Sequence, residues 1–302
     1  MFRLAHLSDI HLGPLPGVTY RQLASKRITG YINWHRNRRR SLHEGVTDRL
    51  LADMEGFDPD HVAITGDLVN LALDAELELA RIWLQSLGPA EGISVVPGNH
   101  DAYVPGALGR ACRAWADWMK PDLSPKVTTR HGFPYLHRRG PLAVIGVSSA
   151  VATAPFMASG SFSSEQAKGL TELLETTESE GLFRVVMIHH PPVRGATATR
   201  KRLFGIRRFQ KVIRKAGAEL VIHGHTHLAT THWIKGKNGR VPVIGVPAAG
   251  QGPGGSKPAA QYNLFDVEGK PGDWKITLKR RGLKGTAIEP VTISSEVLSS
   301  AG

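Results

Sequence analysis

The chain has 302 residues, 41% of them apolar and 21% charged, which supports a substantial globular core and excludes a disordered or membrane-embedded chain. Its longest apolar runs, such as Val185–Ile188 and Val241–Val246, are strand-sized and well short of the roughly 20 residues of a membrane helix. A formal net charge of +12 predicts attraction to nucleic acid, to an anionic membrane surface or to a phosphorylated small molecule, and by itself does not choose among them.

In chain order, Phe2–Ser8 reads as a strand that ends at Asp9-Ile-His11. Those polar residues interrupt the apolar start too early for a secretory signal, whose apolar stretch runs roughly 7–15 residues. Cys112 is the only cysteine, so no internal disulfide and no thiolate-built metal site is expected. A cytoplasmic location follows as the expectation, with peripheral attachment to a membrane as the alternative. A basic insertion then spans about 14–41 and includes Tyr31, Trp34, Arg36, Arg38, Arg39 and Arg40. It starts beside Asp9 and His11, so it is expected at the mouth of the site. Arginines interleaved with aromatic residues grip phosphates, stack on bases, or rest at a lipid headgroup boundary. Trp34, Arg36, Arg38, Arg39 and Arg40 are therefore the candidate substrate contacts, against the plainer reading of a solvated basic loop.

Apolar spacing predicts helices over Leu42–Met54 and Ala72–Leu87, with the strand His61–Thr65 between them, ending at Gly66-Asp67. Asn70 reads as a cap for the second helix. Ile93–Val96 ends at Pro97-Gly-Asn-His-Asp101. A helix over Ser164–Glu178, capped by Ser163 or Ser164, precedes Val185–Ile188 and its terminal His189-His-Pro-Pro192. Thr199–Arg208 forms a second basic cluster, placed to make the other wall of the site. A shorter helix over Phe209–Lys215 leads to Glu219–Ile222 and His223-Gly-His-Thr-His227. Thr230–Lys235, Val241–Val246, Tyr262–Val267 and Trp274–Lys279 read as strands of a second sheet. Gln251–Pro258 reads as a loop, and about 294–302 as a flexible tail. The alternation predicts a layered α/β fold in a single domain, 1–302.

Five of these strands, from Phe2–Ser8 to Glu219–Ile222, each deliver polar residues just past their carboxyl ends, where open α/β sheets place their ligands. Asp9, His11, Asp67, Asn99, His189, His225 and His227 offer carboxylate, carboxamide and imidazole groups, a donor set suited to divalent or trivalent first-row metals. Asp67 stands alone after its strand and is the natural bridge between two ions. Gly66, Gly98 and Gly224 suit sharp turns or close backbone approach.

The segments Asp9-Ile-His11, Gly66-Asp67-Leu-Val-Asn70, Gly98-Asn-His-Asp101, His189-His-Pro-Pro192 and Gly224-His-Thr-His227 together resemble the calcineurin-like metallophosphoesterase superfamily. In motif form the chain is most similar to its bacterial cyclic-nucleotide phosphodiesterases. The resemblance implies a four-layer αββα sandwich of two mixed sheets flanked by helices. It implies one metal on Asp9, His11, Asp67 and His227 and another on Asp67, Asn99, His189 and His225, with His190 outside the ligand set. Manganese or iron is the expected metal, with zinc as the alternative. Water activated by the ions would attack phosphorus, His100 would protonate the leaving group or stabilise equatorial charge, and Asp101 would orient the His100 ring. The implied reaction is hydrolysis of a phosphodiester of nucleotide type. A lipid substrate such as a lipid A precursor, cleaved by a peripheral membrane pyrophosphatase or phosphodiesterase, is the alternative, and a nuclease the third.

Overall fold

The computed structural model describes residues 1–35, 45–122, 126–285 and 289–298. The strands in chain order are β1 (Phe2–Leu7), β2 (His61–Ile64), β3 (Ile93–Val95), β4 (Tyr135–Arg139), β5 (Leu142–Gly146), β6 (Gly160–Ser161), β7 (Phe183–Met187), β8 (Leu203–Phe204), β9 (Leu220–His223), β10 (Thr230–Lys235), β11 (Arg240–Gly245), β12 (Gln261–Lys270), β13 (Asp273–Gly282) and β14 (Val291–Leu298). The helices are α1 (Tyr20–Leu23), α2 (Arg27–Asn33), α3 (Val46–Glu55), α4 (Asp74–Ser86), α5 (Ala107–Ala114), α6 (Ser164–Ser179) and α7 (Ile206–Ala216).

Two six-stranded sheets form the centre, in the orders β14-β13-β12-β1-β2-β3 and β10-β11-β9-β7-β5-β4. β1, β2 and β3 run parallel, as do β11, β9, β7 and β5, while β12 meets β1 antiparallel with Leu4 opposite Phe265. Both sheets are therefore mixed.

Alternation along the strands sorts side chains into layers. On β7, Phe183, Val185 and Met187 join the larger core with β1, β2, α3 and α4, whereas Val186 and Ile188 face the smaller core of α6 and α7. β5 divides in the same way, Leu142 and Val144 against Ala143 and Ile145. Strands buried on both faces read as continuous apolar runs because helices cover the outer face and the other sheet covers the inner one. The result is helix, sheet, sheet, helix.

Helix starts follow local chemistry. Ser163 accepts from the Gln166 N–H and caps α6. At α4 the capping acceptor is Glu76, which bonds the N–H groups of Asn70 at 2.8 Å and Leu73 at 3.0 Å. Asn70 therefore does not cap that helix. The residue before the helix, Leu73, has no side-chain acceptor, so a carboxylate inside the first turn reaches back instead.

Two expectations are corrected. The strands after Gly224 are not one sheet: β10 and β11 extend the sheet of β9, whereas β12, β13 and β14 add to the free edge of β1. The tail expected from 294 is, through Leu298, the edge strand β14, whose Val297 lies opposite Thr277 of β13. An antiparallel neighbour satisfies its backbone, which a polar sequence pattern does not reveal. β4 and β5 were absent from the sequence reading. Of the helix expected over 42–54, the part at 42–44 lies outside the described residues, and α3 begins at Val46. Among the described residues no helix is long and apolar enough to cross a membrane.

Candidate metal centre

The carboxyl ends of β1, β2, β3, β7 and β9 meet at one end of the sandwich. Beyond the strands the backbones stay zipped: Asp9 N–H donates to Gly66 O at 2.9 Å and His11 N–H to Asp67 O at 3.0 Å. The other sheet joins through His225 N–H, which donates to Asp9 Oδ2 at 2.9 Å. Asp9, His11, Asp67, His225 and His227 all hold φ between 49° and 66°. For non-glycine residues this left-handed backbone costs of order 1–3 kcal/mol each and clusters at functional sites. A Cβ on Gly98 would overlap Asp67 Oδ1, and one on Gly224 would overlap Ser8 Oγ and lie 2.6 Å from Asp9 Oδ2. These glycines leave room for the carboxylates.

Among the described residues, three groups of side chains have ligand-capable atoms within 4.8 Å of one another: Asp9 with His11 and His227, His11 with Asp67 and His100, and Asp9 with Asp67 and His189. His11 Nε2 lies 3.9 Å from Asp9 Oδ1 and 3.8 Å from Asp67 Oδ2, and its Nδ1 donates to Val69 O at 3.0 Å. His227 Nε2 stands 3.0 Å from Asp9 Oδ1, and His189 Nε2 lies 3.4 Å from Asp67 Oδ2. Asn99 Oδ1 is 3.2 Å from the same His189 nitrogen. His225 falls in none of the three groups. Its Nε2 donates to Lys201 O at 2.9 Å, which leaves Nδ1 as the ligand-capable atom, and its ring sits 5.1 Å from that of His189. His190 is committed elsewhere, to Ser149 Oγ at 2.8 Å and Ala158 O at 3.1 Å.

Electrostatics favour cations here. Burial alone would raise the Asp9 and Asp67 carboxyls, yet the surrounding imidazoles, His227 for Asp9 and His189 for Asp67, hold both well below the usual range. Burial lowers His189, but Asp67 outweighs it and pushes the imidazole up to about 9. A metal cation would take the place of that proton. Asp9 Oδ1 is buried, with His227 Nε2 as its polar neighbour at 3.0 Å. Oxygen and nitrogen donors and two buried anions fit the metals that the residue pattern implied.

His100 stands at the open side of the His11–Asp67 group, with the two imidazoles edge to face at 4.8 Å. Its Nδ1 donates to Asn70 O at 2.6 Å, so that carbonyl, not Asp101, orients the ring. Asp101 instead accepts from the backbone N–H groups of Asp67, Leu68, Val69 and Gly98 at 2.7–3.2 Å, and so pins the Asp67 turn to the Asn99 turn. Burial, then the nearby Asp67, raises the Asp101 carboxyl to about 7. Asn70 ties the neighbouring loop, its Nδ2 donating to Leu12 O at 2.9 Å.

Tyr103, absent from the sequence reading, stacks on His100 at 5.3 Å and lies under Lys26 at 4.7 Å. Arg27 fastens α2 to Leu71 O and Ala72 O at 2.9 and 2.6 Å. The described part of the insertion thus abuts the site. Trp34 is only 6% exposed, so it packs inward and offers no stacking face. Arg36, Arg38, Arg39 and Arg40 lie outside the described residues.

Residues 2–229 match the family described as calcineurin-like phosphoesterase. The chain belongs to that family. It is accordingly a metal-dependent phosphoesterase, and the family implies a dinuclear centre at the carboxylate and histidine groups just described. No curated protein matches this phosphoesterase in sequence. Among solved structures it is similar to a dimetal phosphatase from Danio rerio, at 14% identity and a TM-score of 0.61, covering 97% of this chain and 98% of that one. It is also similar to purple acid phosphatase PPD1 from yellow lupin, at 15% identity and a TM-score of 0.53, covering 93% and 51%. GAP50, the anchor in the inner membrane complex of Plasmodium, shares 13% identity at a TM-score of 0.51 over 100% and 89%. At such identities these likenesses concern the fold alone.

Proposed function

We propose that this phosphoesterase hydrolyses a phosphodiester of nucleotide type, with His100 delivering the proton to the leaving oxygen. The observation that carries this reading is the position of His100, whose Nδ1 is committed to Asn70 O while its ring stands beside His11 and Asp67. The opposite nitrogen, Nε2, is then the one left for the substrate, and it donates a proton from the imidazolium form, because Nδ1 keeps its own on the carbonyl. An alkoxide leaving a diester needs such a donor, which contributes typically about 10²–10⁴-fold.

Asp9, His11, Asp67 and His227 would hold one metal, and Asp67, Asn99, His189 and His225 the other. Manganese or iron is proposed, with zinc as the alternative. When bound, such ions supply Lewis acidity at phosphorus and activated water at neutral pH. Asp67 contributes a carboxylate common to both sets, Thr65 O orients His189, and Val69 O orients His11. The nucleotide preference rests on the motif forms Gly98-Asn-His-Asp101 and His189-His-Pro-Pro192. Profiling manganese-loaded protein against cyclic nucleotides, bis-p-nitrophenyl phosphate and p-nitrophenyl phosphate tests it. Turnover of the monoester alone would refute the diester reading.

A lipid substrate is the second reading, favoured by apolar side chains exposed around the mouth. Tyr20, Ile28, Ile32, Phe156 and Phe204 are exposed. Lys26 Nζ bonds Met157 O at 2.9 Å, and β6 pairs with β8, so the segments bearing these residues form one rim. Apolar groups among cations suit an anionic lipid interface. Pelleting with phosphatidylglycerol vesicles at low salt, together with cleavage of a lipid A precursor and not of cyclic nucleotides, would select this reading.

A further inference from the structure

Residues 189–218 contain no acidic side chain and many arginines and lysines. Part of this stretch surrounds a cavity of about 540 Å³, within the roughly 300–1,000 Å³ of small-molecule sites. Arg194, Arg202 and Arg207 line it, together with Thr199 and Phe204. Several arginines elsewhere in the described residues have acidic partners, as Arg184 has Glu219 and Arg138 has Glu180. None of the three cavity arginines forms an ion pair among the described residues. Arg202 lies 4.7 Å over the Phe204 ring, which holds its guanidinium at the wall. Like charges around one space repel, and an anion relieves that repulsion while accepting forked hydrogen bonds from guanidinium groups.

The cavity is coupled to the metal centre at both ends of its segment. Val193 directly follows His189-His-Pro-Pro192. Lys201 O, one residue before Arg202, accepts from His225 Nε2 at 2.9 Å. Ala158 N–H donates to Arg200 O at 3.0 Å, and Ala158 O accepts from His190 Nε2 at 3.1 Å. A second cavity, about 360 Å³ beside Arg184 and Trp274, carries no such imbalance, because Arg184 and Lys237 already pair with Glu219 and Glu178.

We infer that the cavity lined by Arg194, Arg202 and Arg207 is a subsite for a second anionic group, phosphate or carboxylate, on the phosphoester that the metal centre cleaves. The inference rests on the phosphodiester reading above and narrows its substrate to a bis-anionic ester. That chemistry is shared by a soluble nucleotide-like molecule and a phospholipid headgroup.

A matched pair of probes tests it: propyl p-nitrophenyl phosphate and 3-phosphonopropyl p-nitrophenyl phosphate, which differ only in the added anion. Calorimetry on the metal-loaded protein should show the phosphonate probe binding about tenfold or more tightly, as two or three charge-assisted contacts would give. In the Arg194→Gln, Arg202→Gln, Arg207→Gln triple variant the ratio should fall towards one while metal content per chain is retained. Equal binding of the pair by the wild type, or a preference that survives in the triple variant, overturns the subsite. Because binding needs no turnover, a preserved preference with hydrolysis of neither probe would refute the phosphodiester reading and leave the subsite standing. A decyl chain on the phosphonate probe separates the sources: tighter binding assigns the lipid headgroup, unchanged binding the soluble ester. Equal binding of the soluble pair, combined with loss of phosphatidylglycerol vesicle pelleting in the triple variant, assigns these arginines to a membrane surface and overturns the proposal.

Discussion

Asp67 occupies two of the three side-chain groups and sits between His11 and His189. Asp67→Ala should therefore lose both metals or hold them loosely, because the two proposed ligand sets share this one buried carboxylate. Metal analysis after desalting checks this, and a variant with two tightly held ions and full turnover would refute the shared role. His100→Ala should keep the metals and slow kcat by roughly 10²–10⁴-fold on esters with poor leaving groups. The loss should shrink for p-nitrophenol esters, which leave without a proton; an equal loss for both would assign His100 to positioning alone. Asp101 acts differently, since its carboxylate satisfies four backbone N–H groups. Asp101→Ala leaves those donors buried and unpaired, and we expect a destabilisation of roughly 3–5 kcal/mol by urea unfolding. A variant as stable as wild type would contradict that accounting. His100, Asp67 and Asp101 were all legible as site residues from their place after strands, but the task of Asp101 was not. Which group a carboxylate faces depends on the turn of another strand, here 66–69, which the local sequence of 98–101 does not encode.

Helices and strands show the same division. α6, with its Ser163 cap, was readable because cap and apolar spacing lie within one segment. β14 was not, since its exposed, polar residues become a strand only against β13. Removing residues 291–302 would uncover the hydrogen-bonding edge of β13, a template for pairing with other chains. The truncated protein should show a lower Tm and concentration-dependent light scattering, with kcat little changed because β12 and β13 separate β14 from β1. Retained solubility and Tm would show that β13 needs no cover. The insertion is a mixed case: its placement beside the site was expected, and Lys26 and Arg27 do anchor α2 there. Trp34 turns inward because a large aromatic ring gains more from burial than from solvent.

Across the molecule, the two sheets are joined by polar contacts as well as by apolar packing. Ser94 Oγ on β3 lies 2.7 Å from His61 Nε2 on β2 and 2.7 Å from His137 Nδ1 on β4 of the other sheet. Burial lowers His61 to about 3 and His137 to about 4. In the unfolded chain both titrate near about 6.5, so between that pH and their folded values the unfolded state binds more protons. Their contribution to stability is complete above about pH 6.5 and is lost as the pH falls, at up to about 1.4 kcal/mol per pH unit for each group. Urea midpoints from pH 7 to 4 should fall less steeply in a His61→Gln, His137→Gln double variant, and an unchanged slope would refute the assignment.

Taken as a whole, the amino-acid order already determined the layered α/β class, the ends of the parallel strands and the polar residues placed just beyond them. Those features depend on hydropathy, periodicity and turn chemistry within a few consecutive residues. Only the tertiary structure decided that β12 closes the edge of β1, that Asn70 O orients His100, that Asp101 binds turns, and that Arg194, Arg202 and Arg207 share one cavity. Each of these requires partners far apart in the chain, and a sheet edge or a buried carbonyl is available only once the rest of the fold has brought it there.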